Sequence, residues 1–582
     1  MKPPHLLAQT RVPAQTWPIL IDLAVVLCGL AFFLGMIKLG TYWMARPMPA
    51  VVISHSVRAL PLYAFYSVAR IAIAYLFSLI FAVTYGYIAA YNQRVEAWMI
   101  AVLDILQSIP VLSFLPGVML AMMALIPGHQ LGIELGSILL IFTGQVWNMA
   151  FSFYSSLKSI PREMIEASRI YRYSAWQRFW QLEMPFAAIG LIWNSIVSVA
   201  GGWFFLIVCE MFAFLGTSFR LPGLGSYLQT AASANPVDTH ALLWGLIVLV
   251  LIIVATDQLI WRPLIAWSDK FKFEQTESAT RVTSPILTLL QRPSALTRLP
   301  ARVWGSIEEG VYRRLSKSRQ CRTVQPIDDD AAKGSRLLPI LLGSFAALAI
   351  LWGLSQAIVI VHGVTWADIR LLLLCAGATW LRVNTAIALA ALWTIPVGVT
   401  IGSNPRLARY LQPITQVVAS VPATALFPVL MLGLIRIGGG LGFGSIVLML
   451  LGTQWYILFN VIAGAMAIPS DLKEAAAVYR FTRWQRWTRL ILPGIFPYLI
   501  TGMITASGGA WNASIVSEYF HIGDQTLQTL GLGAQISAAS DSGKISTLLL
   551  ATVLMATMVV TMNRLVWRRL YRLAETRYKL EG

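Results

Sequence analysis

The chain has 582 residues, 57% of them hydrophobic and only 12% charged, with 44 Lys and Arg against 26 Asp and Glu for a formal charge of +18. A mean hydropathy of +0.68 excludes a soluble multidomain protein and places the chain in a bilayer. The cations do not point to nucleic acid, because they gather in loops beside apolar runs, as the positive-inside bias requires.

The first sixteen residues carry Lys2 and Arg11 and give way to Trp17–Gly40. This run is too long for a signal-peptide core and lacks a small-residue cleavage site, so it reads as a first membrane helix with its amino terminus inside. Further apolar runs follow at 61–91, 98–125, 130–157, 185–209 and 239–261, each near or above the ~20 residues that cross ~30 Å of hydrocarbon. Residues 263–336 interrupt the pattern with thirteen cations and the Asp328-Asp329-Asp330 run, which marks a cytoplasmic linker. Its middle, Leu296–Leu315, mixes apolar residues with arginines and is either a helix on the membrane surface or a solvated connector. The plan then repeats at 337–361, 366–401, 411–437, 441–467, 493–517 and 545–563, before a basic Arg564–Lys579 tail. The expected fold is an all-α polytopic membrane protein: two tandem six-helix domains, 1–262 and 337–582, about twelve crossings, and both termini inside.

The two halves are copies. Arg70, Gly86, Asn92, Pro110 and Pro116 return 312 residues later as Arg382, Gly398, Asn404, Pro422 and Pro428. From the fourth helix the offset is 308, taking Gly144, Trp147, Trp203, Glu210, Gly223 and Gly225 to Gly452, Trp455, Trp511, Glu518, Gly531 and Gly533. An even number of crossings separates the copies, so they share one orientation about a pseudo-two-fold along the membrane normal. One chain can supply a whole pore.

A polar, cation-rich island separates the fourth and fifth runs of each half. In the first, Arg162–Pro185, stand Glu166, Ala167, Ser168, Arg172 and Pro185; in the second, Ser470–Pro493, stand Glu474, Ala475, Ala476, Arg480 and Pro493. This pattern resembles the cytoplasmic coupling loop of ABC importer permeases. The resemblance implies that each island docks on a separate ATP-hydrolysing subunit, which would bind ATP and Mg. It also implies a periplasmic substrate-binding protein and a bacterial or archaeal cytoplasmic membrane. Where the family carries glycine, this chain has Arg172 and Arg480, residues that resist a left-handed turn. Ser67-Val-Ala-Arg70, the Ser108–Pro116 stretch, Trp203–Glu210 and Gly223-Leu-Gly225 further resemble permeases of the nitrate, sulfonate, taurine and bicarbonate group, and the whole resembles a duplicated permease component of an anion transport system.

The competing interpretations are an ion-coupled secondary transporter and a non-transporting sensor or scaffold. The first calls for acids at the bilayer centre, where the sequence offers almost none. No phosphate loop is recognisable, since Gly543-Lys544 is followed by Ile545. Six histidines and four cysteines, Cys28, Cys209, Cys321 and Cys375, have no metal-ligand or redox spacing, so the expectation is a transport subunit without catalysis or a metal of its own. Trp176, Arg178, Trp180 and their echoes also suit plain interfacial anchoring.

Arg70 and Arg382 fall inside membrane runs, where a charge costs ~2.5 kcal/mol or more unless it pairs or meets water. Glu210 and Glu518 are possible partners. The arginines are either structural or contacts for an anionic substrate, and with Trp203, Trp511 and the two glutamates they form the expected substrate path. Asp257 stands near Arg262 for a local pair. The proline pairs Pro110/Pro116 and Pro422/Pro428 break the third helices, and the freed carbonyls must face protein or a wet cavity.

Overall fold

In hydrocarbon every backbone N–H and C=O must find its partner within the protein, and apolar runs of this length meet that demand as helices. The computed structural model describes residues 51–126, 130–214, 217–268, 271, 355, 364–436, 440–522 and 525–577. The expected first helices of each half, 17–40 and, except for residue 355, 337–361, most of the linker, Cys28 and Cys321 lie outside the described residues.

In the first half, α1 (Leu60–Tyr91) is followed by α2 (Gln93–Ser108), a 3-10 turn and α3 (Leu115–Leu125), then by α4 (Leu131–Lys158). The island holds α5 (Arg162–Ile170) and α6 (Ala175–Arg178), and a π-helical turn at Phe179–Glu183 leads into α7 (Met184–Cys209). A hairpin of β1 (Met211–Phe214) and β2 (Thr217–Arg220) precedes the short α8 (Leu224–Ser233) and α9 (Thr239–Thr256), which runs through a π turn at Asp257–Trp261 into α10 (Arg262–Ser268). The second half repeats each α-helix and strand, without the 3-10 turn, as α11 (Trp366–Ser403), α12 (Pro405–Ser420), α13 (Ala423–Arg436), α14 (Leu441–Ala467), α15 (Ser470–Val478), α16 (Arg483–Arg486), α17 (Leu492–Ser517), β3 (Tyr519–Ile522), β4 (Gln525–Gln528), α18 (Leu532–Ser542), α19 (Ile545–Met562) and α20 (Arg568–Arg577). Among the described residues eight helices are long and apolar enough to cross a membrane, and the bent pair α12–α13 raises that to nine.

Three features differ from the expectation. Only the first proline of each pair makes the break. Pro110 sits between α2 and the 3-10 turn, and Pro422 at the 81° bend between α12 and α13. Pro116 occupies the first turn of α3, where a missing N–H costs nothing, and Pro428 is inside α13. The last helices of each half continue past 261 and 563, to Ser268 and Arg577. Finally, 210–238 and 518–544, to which the hydropathy pattern assigned no element, hold the two antiparallel hairpins and the short helices; Met211 pairs with Arg220, and Tyr519 with Gln528.

The pseudo-two-fold shows in reciprocal contacts. The Leu112 amide, just after the first break, donates to Asn512 Oδ1 at 3.4 Å. Its echo Thr424 donates through Oγ1 to the carbonyl of Phe204, the echo of Asn512, at 3.3 Å. Each broken third helix therefore touches the fifth helix of the other half, as a two-fold requires. Both islands connect the same helices and lie at the end of the bundle opposite the hairpins.

Candidate functional site

Each island is built as a helix, a sharp turn and a second capped helix. At the end of α5 the Tyr173 amide donates to the Ser168 carbonyl and the Arg172 amide to that of Arg169, both at 2.9 Å. This six-to-one, five-to-two pattern is the Schellman motif, whose penultimate residue must be left-handed. Arg172 takes that role with φ of 52°, and Arg480 repeats it at 51°, the only two non-glycine residues with positive φ among those described. Arginine thus adopts the left-handed turn that the resemblance assigns to glycine. Ser174 and Thr482 then close capping boxes with Gln177 and Gln485, which fixes the direction of the next helix.

The side chains of the turn face outward. Tyr171 is 74% and Tyr479 77% exposed, beside exposed Ile170 and Val478. Glu166, Glu474, Arg172 and Arg480 are exposed, Ala167 and Ala475 half-buried, and Ser168 and Ala476 buried beneath them. Pro185 and Pro493 stand in the first turns of α7 and α17. Glu166 and Glu474 are the fifth residues of their helices, so the first-turn carboxylates favoured by the helix dipole are Glu163 and Asp471 instead.

The islands differ where they meet the bundle. In the first, the buried Glu183 Oε1 accepts from Tyr91 OH at 2.5 Å and from Arg178 Nε at 2.7 Å, and the Arg178 guanidinium lies over the Tyr91 ring at 5.0 Å. Nearby, Glu96 Oε1 accepts from Tyr154 OH at 2.6 Å and pairs with Lys158 at 2.8 Å. The equivalent positions in the second half are Ser403, Ile491, Ala408, Ile462 and Met466. That side is held by packing alone at these positions.

At the hairpin end, two buried charge clusters occupy matching places. Ser67 and Arg70 lie on one face of α1, three residues apart. Arg70, 3% exposed, donates from Nη1 to Glu210 Oε1 at 2.6 Å, and from Nε and Nη2 to the Glu134 carboxylate at 2.6 Å each. Glu210 is wholly buried; it also accepts from Ser67 Oγ and from the Gly225 amide, both at 2.6 Å. The second cluster repeats this with Thr379, Arg382, Glu518 and the Gly533 amide. No side chain fits at Gly223 or Gly531, where a Cβ would stand 2.3 and 2.1 Å from the glutamate oxygens. Each carboxylate thereby ties the end of a fifth helix to the amino terminus of α8 or α18. Glu134, which the sequence reading missed, has no echo: the position is Gly442, and Arg382 turns to Thr529 Oγ1 at 2.9 Å and the Leu530 carbonyl at 2.7 Å. A lone acid in the apolar run 130–157 was the available signal.

Between the halves lies a cavity of about 280 Å³. Gln107, Asn148, Gln416, Asn512 and Asn563 line it together with Trp147, Trp455, Tyr456 and Trp567, and among the described residues no Lys, Arg, His, Asp or Glu does. Val111, Val421 and Pro422 put both helix breaks on the wall. The expected path residues Arg70, Arg382, Glu210, Glu518, Trp203 and Trp511 all lie outside it. The reason is electrostatic and steric: the guanidiniums are satisfied by adjacent carboxylates and polar groups, and both tryptophans are packed in the core. Asp257 pairs with Arg262 at 3.3 Å, as expected.

Two similar helical halves, related by a pseudo-two-fold and joined around a cavity, with paired exposed islands at one end, define a polytopic transport protein. The chain belongs to the family of binding-protein-dependent transport system inner membrane components, whose pattern matches residues 82–259 and again 394–579. Similar relatives include the nitrate import permease protein NrtB of Leptolyngbya laminosa, 29% identical over 33% of this chain and 64% of the relative. The bicarbonate transport system permease protein CmpB of Synechococcus elongatus is 26% identical over 32% of this chain and 65% of its own length. The taurine transport system permease protein TauC of Escherichia coli is 27% identical over 28% and 56%. The matches therefore span less than two thirds of these relatives. The family is one of multi-pass transport permeases rather than enzymes, and its double match identifies a fused duplication.

Proposed function

We propose that this chain forms the complete membrane passage of an ATP-driven importer for a small anion such as nitrate, bicarbonate or a sulfonate. Both islands seat separate ATPase subunits, which bind ATP and Mg, and a binding protein delivers substrate at the hairpin end. The islands, linker and both termini then face the cytoplasm. The observation that carries this reading is the repeated island: an exposed aromatic tip, a left-handed turn preserved in spite of arginine, and a capped helix leading into a membrane span. Such a unit packs Met164, Ile165, Phe179 and Leu182 against the bundle and leaves the tip of its turn facing outward. Glu166, Ala167, Ser168, Arg172 and Pro185, with Glu474, Ala475, Ala476, Arg480 and Pro493, are assigned to this coupling. The buried arginines and glutamates act as ties at the hairpin end, and the uncharged cavity is the path.

The test is reconstitution of the full chain with its ATPase and binding protein against a panel of nitrate, bicarbonate and taurine. One of these anions should raise ATP turnover, and Glu166→Lys with Glu474→Lys should lower the stimulated rate at least tenfold while the membrane domain stays folded. Full stimulated turnover in the double variant would remove the islands from coupling. No stimulation by any anion would remove the substrate class.

A further inference from the structure

We propose that the last helix holds the headgroup of an anionic phospholipid on two arginines, Arg569 and Arg572, and that the first half has no equivalent site. α19, its π turn and α20 follow one another without a break, and together they form a span from Ile545 to Ala574. Buried Met555, Val559, Trp567 and Ala574 mark the side that faces the bundle, where α20 packs on α17. The other side is exposed at Thr557, Thr561, Leu565, Arg569, Arg572 and Thr576, a stripe with the three- and four-residue steps of one helix face. Leu565 is 54% exposed, so a single turn separates a side chain suited to acyl chains from two cations. At 1.5 Å per residue Arg569 lies about 36 Å along the helix from Ile545. That is past the ~30 Å of hydrocarbon and within the headgroup layer that brings the bilayer to ~40–45 Å. Arg569 and Arg572, three residues apart, have about 5–6 Å between their Cβ atoms, near enough to share one phosphate. Among the described residues neither makes an ion pair, and α20 carries four arginines against the single acid Glu575. An apolar residue above and a cation pair below select an amphiphile with an anionic head.

The repeat supplies an internal control. The echo of Leu565 is Leu259, 61% exposed, but the echoes of Arg569 and Arg572 are Pro263 and Ala266. The balance of charge differs in the same sense. At the island end of the first half Glu96 pairs with Lys158 at 2.8 Å, Glu183 with Arg178 at 2.7 Å and Asp257 with Arg262 at 3.3 Å. The echoes of these three acids are Ala408, Ile491 and Asn563, while Arg486 and Arg568 repeat two of the cations. The first half thus neutralises its cations with its own carboxylates, and the second half has none of the three. A bound lipid phosphate supplies counter-charge on that side alone.

The test needs neither an ATPase nor a transported anion, only that α19 crosses the bilayer, so it stands apart from the importer reading. The full chain, with Cys28→Ser and Cys321→Ser and the buried Cys209 and Cys375 left in place, carries a fluorescent label at Leu565→Cys or at Leu259→Cys. It is reconstituted in phosphatidylcholine vesicles with a minor share of phosphatidylglycerol, and bromine on the acyl chains of one lipid or the other quenches the label. Each basic residue near an anionic surface is worth about a 5-fold local preference. Phosphatidylglycerol is therefore expected to be enriched about 5- to 25-fold near position 565 and not near 259. Arg569→Gln with Arg572→Gln should abolish the enrichment, and Arg569→Lys with Arg572→Lys, which keeps both charges, should retain most of it. If the glutamine pair fails to fold, the contrast between positions 565 and 259 decides alone. Equal enrichment at both positions, none at 565, or enrichment that survives the glutamine pair overturns the proposal. Weaker ATPase binding by the glutamine pair, with no lipid enrichment in the unaltered chain, would give the arginines to a protein partner instead.

Discussion

A left-handed backbone costs a non-glycine residue about 1–2 kcal/mol, and Arg172 and Arg480 both bear it. Replacing either by glycine removes that strain but adds freedom to the unfolded chain, for a net gain of about 0.5–1 kcal/mol. Slower hydrogen exchange across the altered island would register the gain; faster exchange would contradict it. The charge clusters make a second prediction from their asymmetry. Glu518→Gln leaves Arg382 with no carboxylate, and breaking a buried pair in this way costs about 3–5 kcal/mol. Glu210→Gln costs less, because Arg70 keeps Glu134. Thermal unfolding of the solubilised chain should rank them so. Single residues were only partly legible in the sequence: the Arg70 and Glu210 pairing could be anticipated from a charge inside an apolar run, whereas Glu134 lacked the echo that made the others stand out.

Among elements, the π-helical turns recur at Phe179–Glu183, Asp257–Trp261, Trp487–Ile491 and Asn563–Trp567, all at the island end of the fifth and sixth helices. Such turns are rare and favour functional sites, and hydropathy cannot register them, because one extra residue in a turn leaves an apolar run apolar. The hairpins escaped for the opposite reason: four-residue strands are too short for a periodic signal. Long helices and the proline breaks, by contrast, follow from run length and a missing N–H. The first island is anchored through Glu183, with Tyr91 and Arg178 as donors, while Ile491 stands at that place in the second. Glu183→Gln should therefore speed amide exchange across residues 174–183 several-fold and leave 482–491 unchanged. Equal acceleration in both islands would show that the first is not separately anchored.

Taken as a molecule, the chain keeps its duplicated plan while its two copies diverge in chemistry. Gly202 makes room for Gln145, whose Nε2 a Cβ would approach to 2.2 Å. The second half carries Ala510 and the shorter Thr453 at those positions. Equivalent positions therefore respond unequally. At Gly144 an added Cβ would stand 2.3 Å from the Phe205 ring, but at Gly452 the nearest atom is 3.7 Å away. Gly144→Ala is expected to destabilise by about 1–3 kcal/mol through overpacking, whereas Gly452→Ala should be neutral or slightly stabilising through helix propensity. Thermal midpoints of the two variants measure the difference, and equal shifts would show that the halves pack alike here. Repetition made the architecture readable from spacing alone. It also encouraged the expectation that the repeated arginines and glutamates line the path, whereas the cavity wall holds the repeated Trp147 and Trp455 beside residues such as Asn148 and Tyr456 that differ between halves.

Keeping Arg70 and Arg382 out of the cavity sets a clock. Every 1.4 kcal/mol of extra hold multiplies a bound ion's residence about tenfold, so a desolvated guanidinium facing the passage would turn a brief stop into an arrest. Uncharged groups give shorter stays, the regime in which an ion can both enter and leave. Under the proposed importer function, the pace of delivery then rests with whatever opens and closes the passage, and not with its walls.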